Sequence, residues 1–112
     1  MESVRQNKVS RLLQKDLSEI FMLNSRAMFQ GAFITVTKVA ITKDISVARI
    51  YLSVFEPKGK TDILPVIKAR SYEIKKLLVE RIHNQIKNIP SLEFFIDDSL
   101  DYIENIDNLL KK

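Results

Sequence analysis

From Ile74 to Ile89, apolar residues recur at Ile74, Leu77, Leu78, Ile82, Ile86 and Ile89. That i, i+3, i+4, i+8 spacing is one buried face of a helix. Two prolines set its limits. Pro65 suits a first helical turn, where its missing N–H costs nothing, and Pro90 biases Ile89 away from helical angles. The spacing therefore predicts a helical run from Pro65 to Ile89. A small-residue step, Ala69-Arg70-Ser71, stands well inside it, and a serine there can bond back to the preceding turn and bend it.

The same stretch concentrates charge. Between Lys58 and Ser91 there are eight basic residues and three acidic ones, a net of +5, against +4 for the whole 112-residue chain. The last 21 residues carry −4. A pI near 9.4 with the excess in one segment points to a polyanion partner, RNA first. A solvated surface that keeps a small domain soluble is the alternative.

The remaining elements follow from period and punctuation. Ser3 with Gln6 forms a capping box for a first helix, whose stripe is Val9, Leu12, Leu13, Leu17, Ile20 and Phe21. Arg5, Lys8, Arg11 and Lys15 fall mostly off that stripe. Asn24 to Gly31 reads as a connection, with Met28 and Phe29 covering an end of the core. Ala32–Ile41 is rich in β-branched residues, and Val47–Phe55 alternates cleanly. Thr42 to Ser46 is short and polar enough to join them as an antiparallel hairpin. Arg49, Tyr51, Ser53 and Phe55 share the face turned away from the helices. Tyr51 and Phe55 there can stack bases, or can be an ordinary β-surface. Leu92–Ile96 is a third strand. Asp97-Asp98-Ser99 then opens a last helix, about residues 99–112, with its acidic residues complementing the helix dipole. The expectation is one α+β domain over residues 1–112.

Several chemistries are excluded. There is no cysteine, so no disulfide framework and no thiolate metal site. The only glycines are Gly31 and Gly59, too few for a dinucleotide-binding loop, and Gly59-Lys60-Thr61 lacks the earlier glycine of a P-loop. Asp97, Asp98 and Asp101 lack the spacing of a calcium loop. His83, the only histidine, falls on the outer side of its helix. No apolar run spans a membrane, and the N-terminus lacks the apolar core of a signal peptide. The expectation is a cytoplasmic binding protein that is not an enzyme, with no cofactor, no metal and no small-molecule substrate.

Local strings narrow this further. Lys8-Val9 leads into Leu17-Ser18-Glu19-Ile20. Ile34-Thr35-Val36 runs on to Val39, and Asp44 precedes Ala48-Arg49-Ile50-Tyr51-Leu52-Ser53. The most specific string is Ile89-Pro90-Ser91-Leu92-Glu93-Phe94-Phe95-Ile96-Asp97-Asp98-Ser99-Leu100. Together, over about residues 4–110, they resemble the ribosome-binding factor A family. The resemblance implies a KH-like type II fold, α-β-β-α-(kink)-α-β, with an added C-terminal helix. It implies an assembly factor that binds the immature small ribosomal subunit through its ribosomal RNA, assists precursor processing and supports growth in the cold. That family replaces the Gly-x-x-Gly loop of ordinary KH domains with an Ala-x-Gly kink. The matching residues are Ala69, Arg70 and Ser71, with serine where the family has glycine. The candidate RNA contacts are Lys68, Arg70, Lys75 and Lys76 near the kink, Lys58 and Lys60 in the preceding loop, and Arg5, Lys8, Arg11 and Lys15 on the first helix. The partners expected are the small subunit and its ribosomal RNA, with no membrane, and the chain is expected to be a monomer. The alternative is a KH-like protein–protein interaction module that binds no RNA.

Overall fold

The computed structural model describes residues 3–55 and 63–97. Lys58, Lys60 and the expected C-terminal helix lie outside the described residues. The elements are α1 (Val4–Leu23), α2 (Ser25–Met28), β1 (Phe33–Ile41), β2 (Val47–Phe55), α3 (Leu64–Ala69), α4 (Ser71–Ile82) and β3 (Ser91–Ile96). Apart from the single turn α2, this is the α-β-β-α-(kink)-α-β order expected. The sheet order is β1-β2-β3, with β1 antiparallel and β3 parallel to β2. Among the described residues, the helices cover one face of the sheet and the other face is open.

Helix α1 begins with the reciprocal capping box, Gln6 N–H donating to Ser3 Oγ at 3.1 Å and Ser3 N–H to Gln6 Oε1 at 2.8 Å. The buried Gln6 amide also donates to the Ile41 carbonyl at 2.9 Å, and Gln14 donates to the Val36 carbonyl at 3.2 Å. Both bonds dock α1 along β1. Leu13, Leu17, Ile20 and Phe21 from α1 meet Ile50 and Leu52 from β2 and Ile67, Ile74, Leu78 and Ile82 from α3 and α4 in one core. The connection after α1 is more ordered than its composition suggests. It contains α2, and Phe29 is fully buried against Phe21, ring centres 5.2 Å apart. Gly31 closes this connection at φ +79°, where a side chain would be strained.

Strand β1 departs from simple alternation. Ile34 and Val36 face the core, but so do Val39 and Ile41, so the phase changes by one residue. The register shows why: Val36 pairs with Leu52 and Lys38 with Tyr51, leaving Thr37 as the extra residue of a bulge. Thr37 Oγ1 donates to Asp97 Oδ2 at 2.6 Å and lies 3.2 Å from the Tyr51 carbonyl. Asp97, expected from sequence to lead into a last helix that lies outside the described residues, fastens the bulge from the end of β3. Thr37→Val keeps the shape and removes the hydroxyl. It is expected to cost about 1–2 kcal/mol in thermal unfolding, because it removes a charge-assisted bond.

The β1–β2 hairpin is closed by side chains. Asp44 accepts from Ser46 Oγ at 2.7 Å, Ser46 N–H at 3.1 Å and Thr42 Oγ1 at 2.8 Å. The Ser46 hydroxyl first, then that of Thr42, holds the Asp44 carboxyl below its ordinary value of 3.8. A depressed folded-state pKa means that the contribution is complete above the ordinary value and is lost as pH falls through the folded one. The Ser46 amide resonance is expected to titrate with a midpoint below 3.8. A midpoint at or above that value contradicts these bonds. This loop also holds Ile45 at φ +59°, a costly conformation for a β-branched residue.

One expectation is corrected. The helical run does not continue to Ile89: α4 stops at Ile82, capped by His83. The His83 ring nitrogen Nδ1 lies 3.2 Å from both the Val79 and Glu80 carbonyls, and Gln85 N–H bonds back to the Ile82 carbonyl at 2.8 Å. A tight turn therefore replaces the next helical turn. Ile86 and Ile89 still pack against the core, so their spacing signalled burial correctly but not helix. The kink lies where expected. Arg70 sits between α3 and α4 at φ −102°, ψ 14°, and its N–H bonds to the Val66 and Ile67 carbonyls at 3.1 Å. Neither Ala69, Arg70 nor Ser71 has a positive φ, so this break does not require glycine and serine opens α4 without strain.

Candidate nucleic-acid interface

The end of α4 at Ile82 shapes the surface beside α1. The turn that follows brings residues 85–88 alongside the first half of α1. Between them lies a groove of about 520 Å³, lined by Arg5, Lys8, Val9, Arg11, Leu12, Lys15, Ile45, Gln85, Ile86, Lys87 and Asn88. Its floor is aliphatic, from Val9, Leu12, Ile45 and Ile86. Among the described residues its rim holds five cations and no carboxylate. Arg5, Lys8, Leu12 and Lys15 stand at i, i+3, i+7 and i+10, one row along a helix, with Arg11 beside it. The strained Ile45 belongs to this floor. All four basic residues expected on α1 are therefore gathered in one place. Lys87 joins them, a residue hidden from sequence reasoning by the assumption that the helix ran on past it.

The residues expected at the kink divide. Lys68 and Ser71 line a shallower cleft of about 290 Å³ with Leu92, Glu93, Phe94 and Phe95 of β3. Helix α4 starts there without a side-chain cap, so its first-turn N–H groups and dipole add positive character. Glu93 offsets part of it. Arg70 is paired with Glu73, Nη1 lying 3.0 and 3.3 Å from the two carboxylate oxygens. That contact is exposed and worth little, so Arg70 can exchange it for a phosphate. Lys75 and Lys76 stand further along α4 and line neither the groove nor the cleft.

Other cations are committed to structure. Arg81 Nε donates to Asp16 Oδ1 at 2.9 Å and its Nη2 to Glu19, tying α4 to α1. Arg49 lies 3.6 Å from Glu93 across β2 and β3. Among the described residues no group of three His, Asp or Glu side chains is placed to hold a metal ion. Nor is any described helix long and apolar enough to cross a membrane.

The family model for ribosome-binding factor A matches residues 5–110. A ribosome-binding factor A of Cytophaga hutchinsonii is 45% identical over 112 residues, covering 100% of this chain and 84% of that protein. One of Flavobacterium psychrophilum is 46% identical over 111 residues, covering 98% and 85%. Among solved structures, the crystal structure of ribosome-binding factor A from Thermus thermophilus superposes with a TM-score of 0.64 at 23% identity, covering 81% of this chain and 94% of that one. A Thermus thermophilus model of the same factor, fitted into a cryo-EM map of its complex with the 30S subunit, gives 0.62 at 23% identity, covering 80% and 91%. The α+β fold and the extent of these matches agree: the chain belongs to the ribosome-binding factor A family.

Proposed function

We propose that the chain is an assembly factor that binds the immature small ribosomal subunit through its ribosomal RNA. The observation that carries this is the groove between α1 and residues 85–88, where five cations surround an aliphatic floor with no carboxylate among them. Phosphates are held by such a rim, and the charge serves affinity rather than sequence choice. The kink cleft, with Lys68 and the uncapped start of α4, is a second phosphate contact. The name of the relatives and the 30S complex recorded for the Thermus factor support the same partner. The chain acts in the cytoplasm as one domain and a monomer, by occupancy and not by catalysis. It holds an RNA conformation during maturation and precursor processing, and leaves afterwards. Growth in the cold is where its loss is expected to be felt most, since misfolded RNA escapes slowly there.

The chain has no cysteine, so Leu12→Cys gives a single attachment point for a photoreactive group in the groove. Illumination of the complex with precursor small subunits is expected to join Leu12→Cys to ribosomal RNA. Adducts with ribosomal proteins alone contradict the reading and favour a protein-interaction module.

A further inference from the structure

Among the described residues, four aromatic side chains stand together on the open face of the sheet, away from the groove, with Phe95 also bordering the kink cleft. Phe33 and Phe55 are register partners on β1 and β2, and they are 61% and 65% exposed. Tyr51 and Phe95 are register partners on β2 and β3, their rings stacked at 5.4 Å and 26°. Lys38 places its ammonium 5.8 Å from the centre of the Tyr51 ring. The bulge at Thr37 is what puts it there, because without the extra residue Lys38 would point into the core. Between the two aromatic pairs stand Thr35 and Ser53, also partners. They are small and polar, so the rings project above them.

The composition of this face selects among occupants. Besides its rings this face carries only two aliphatic residues, Ala40 and Val47, and the Arg49–Glu93 pair, so an apolar protein contact there would rest on the four rings alone. Flat rings, small hydroxyl residues and a cation suit unpaired bases, which stack on aromatic faces whatever their sequence. Tyr51 and Phe55 are four residues apart, roughly 13 Å along the strand. One short single-stranded segment can therefore stack at both ends.

We propose that the open sheet face is a stacking platform for unpaired bases of RNA, with Phe33 and Phe55 at one end and Tyr51 and Phe95 at the other. This rests on the reading above that the chain binds RNA, and it adds what the groove lacks. The groove senses phosphate, which every RNA carries. The platform senses single-strandedness, which is lost as an immature subunit folds.

The test uses the full chain, a fluorescein-labelled unstructured oligoadenylate of about 12 nucleotides, and isolated small subunits. The double variant Phe33→Ala/Phe55→Ala changes only exposed side chains. It is expected to bind the oligonucleotide about tenfold more weakly, as loss of a stacked base does, with the salt dependence unchanged. Phe33→Tyr/Phe55→Tyr is expected to keep the affinity. The inference falls if the alanine variant binds like the parent, or if it loses only a ribosomal-protein contact. It falls also if that variant melts well below the parent, which would mean that another segment of the chain covers the rings. A parent that binds small subunits but not the oligonucleotide overturns the platform alone. A parent that binds neither overturns the RNA reading itself.

Discussion

Lys8→Glu/Arg11→Glu is expected to weaken binding to precursor small subunits by about 100-fold near 0.1 M salt, with little change in melting temperature. Two cations leave the rim of the groove and two anions enter it, so phosphates there meet repulsion. Each lost phosphate contact also flattens the salt dependence of binding by nearly one unit of logarithmic slope. The slope should therefore fall by about two. Both side chains are exposed and hold no contact in the core, which is why the fold should tolerate the change. The same reversal at Lys75 and Lys76, which line neither depression, is expected to do much less. Equal losses at both pairs would mean that binding follows net charge and not the groove.

The largest effect on stability is expected at Arg81. Its guanidinium bridges Asp16 and Glu19, and Asp16 is only 8% exposed. Arg81→Ala leaves the Asp16 carboxylate buried without that partner, a loss of about 2–3 kcal/mol. For a domain of this size that corresponds to a fall in melting temperature of about 10–20 °C. Arg81→Lys should recover only part, because an ammonium lacks the planar fork that reaches two carboxylates at once. Asp16→Leu/Arg81→Leu should recover most of it, since well-packed apolar pairs often replace buried ion pairs without loss. Calorimetry on the four proteins checks the order. An Arg81→Ala protein as stable as the parent would mean that α1 and α4 are held by apolar packing alone.

Arg81 also marks where sequence reasoning stopped. It counts toward the basic stretch in sequence, yet its charge is used to join two helices. Side-chain pairing across 65 residues leaves no local trace. What was legible was periodic or chemical: the α1 stripe and its capping box, the alternation of β2, the proline before β3, and the break at Ala69-Arg70-Ser71. The bulge was legible too, in hindsight. Core-facing positions pass from Ile34 and Val36 to Val39 and Ile41, an even-to-odd change that only one extra residue can produce. The early end of α4 was not legible, because Ile86 and Ile89 pack half-buried against the core from a turn at the same spacing that a helix would give them. That error hid Lys87, and with it the groove. The basic residues of α1 were singled out one by one, whereas what gathers them is the return of residues 85–88 beside them.

The most direct test of the central claim is cosedimentation of the protein with isolated precursor and mature small subunits across a salt series. The parent is expected to bind the precursor saturably, with affinity falling steeply as salt rises, and Lys8→Glu/Arg11→Glu to bind weakly with a flatter slope. A well-folded parent that does not bind at low salt, or a variant that binds like the parent, would contradict it.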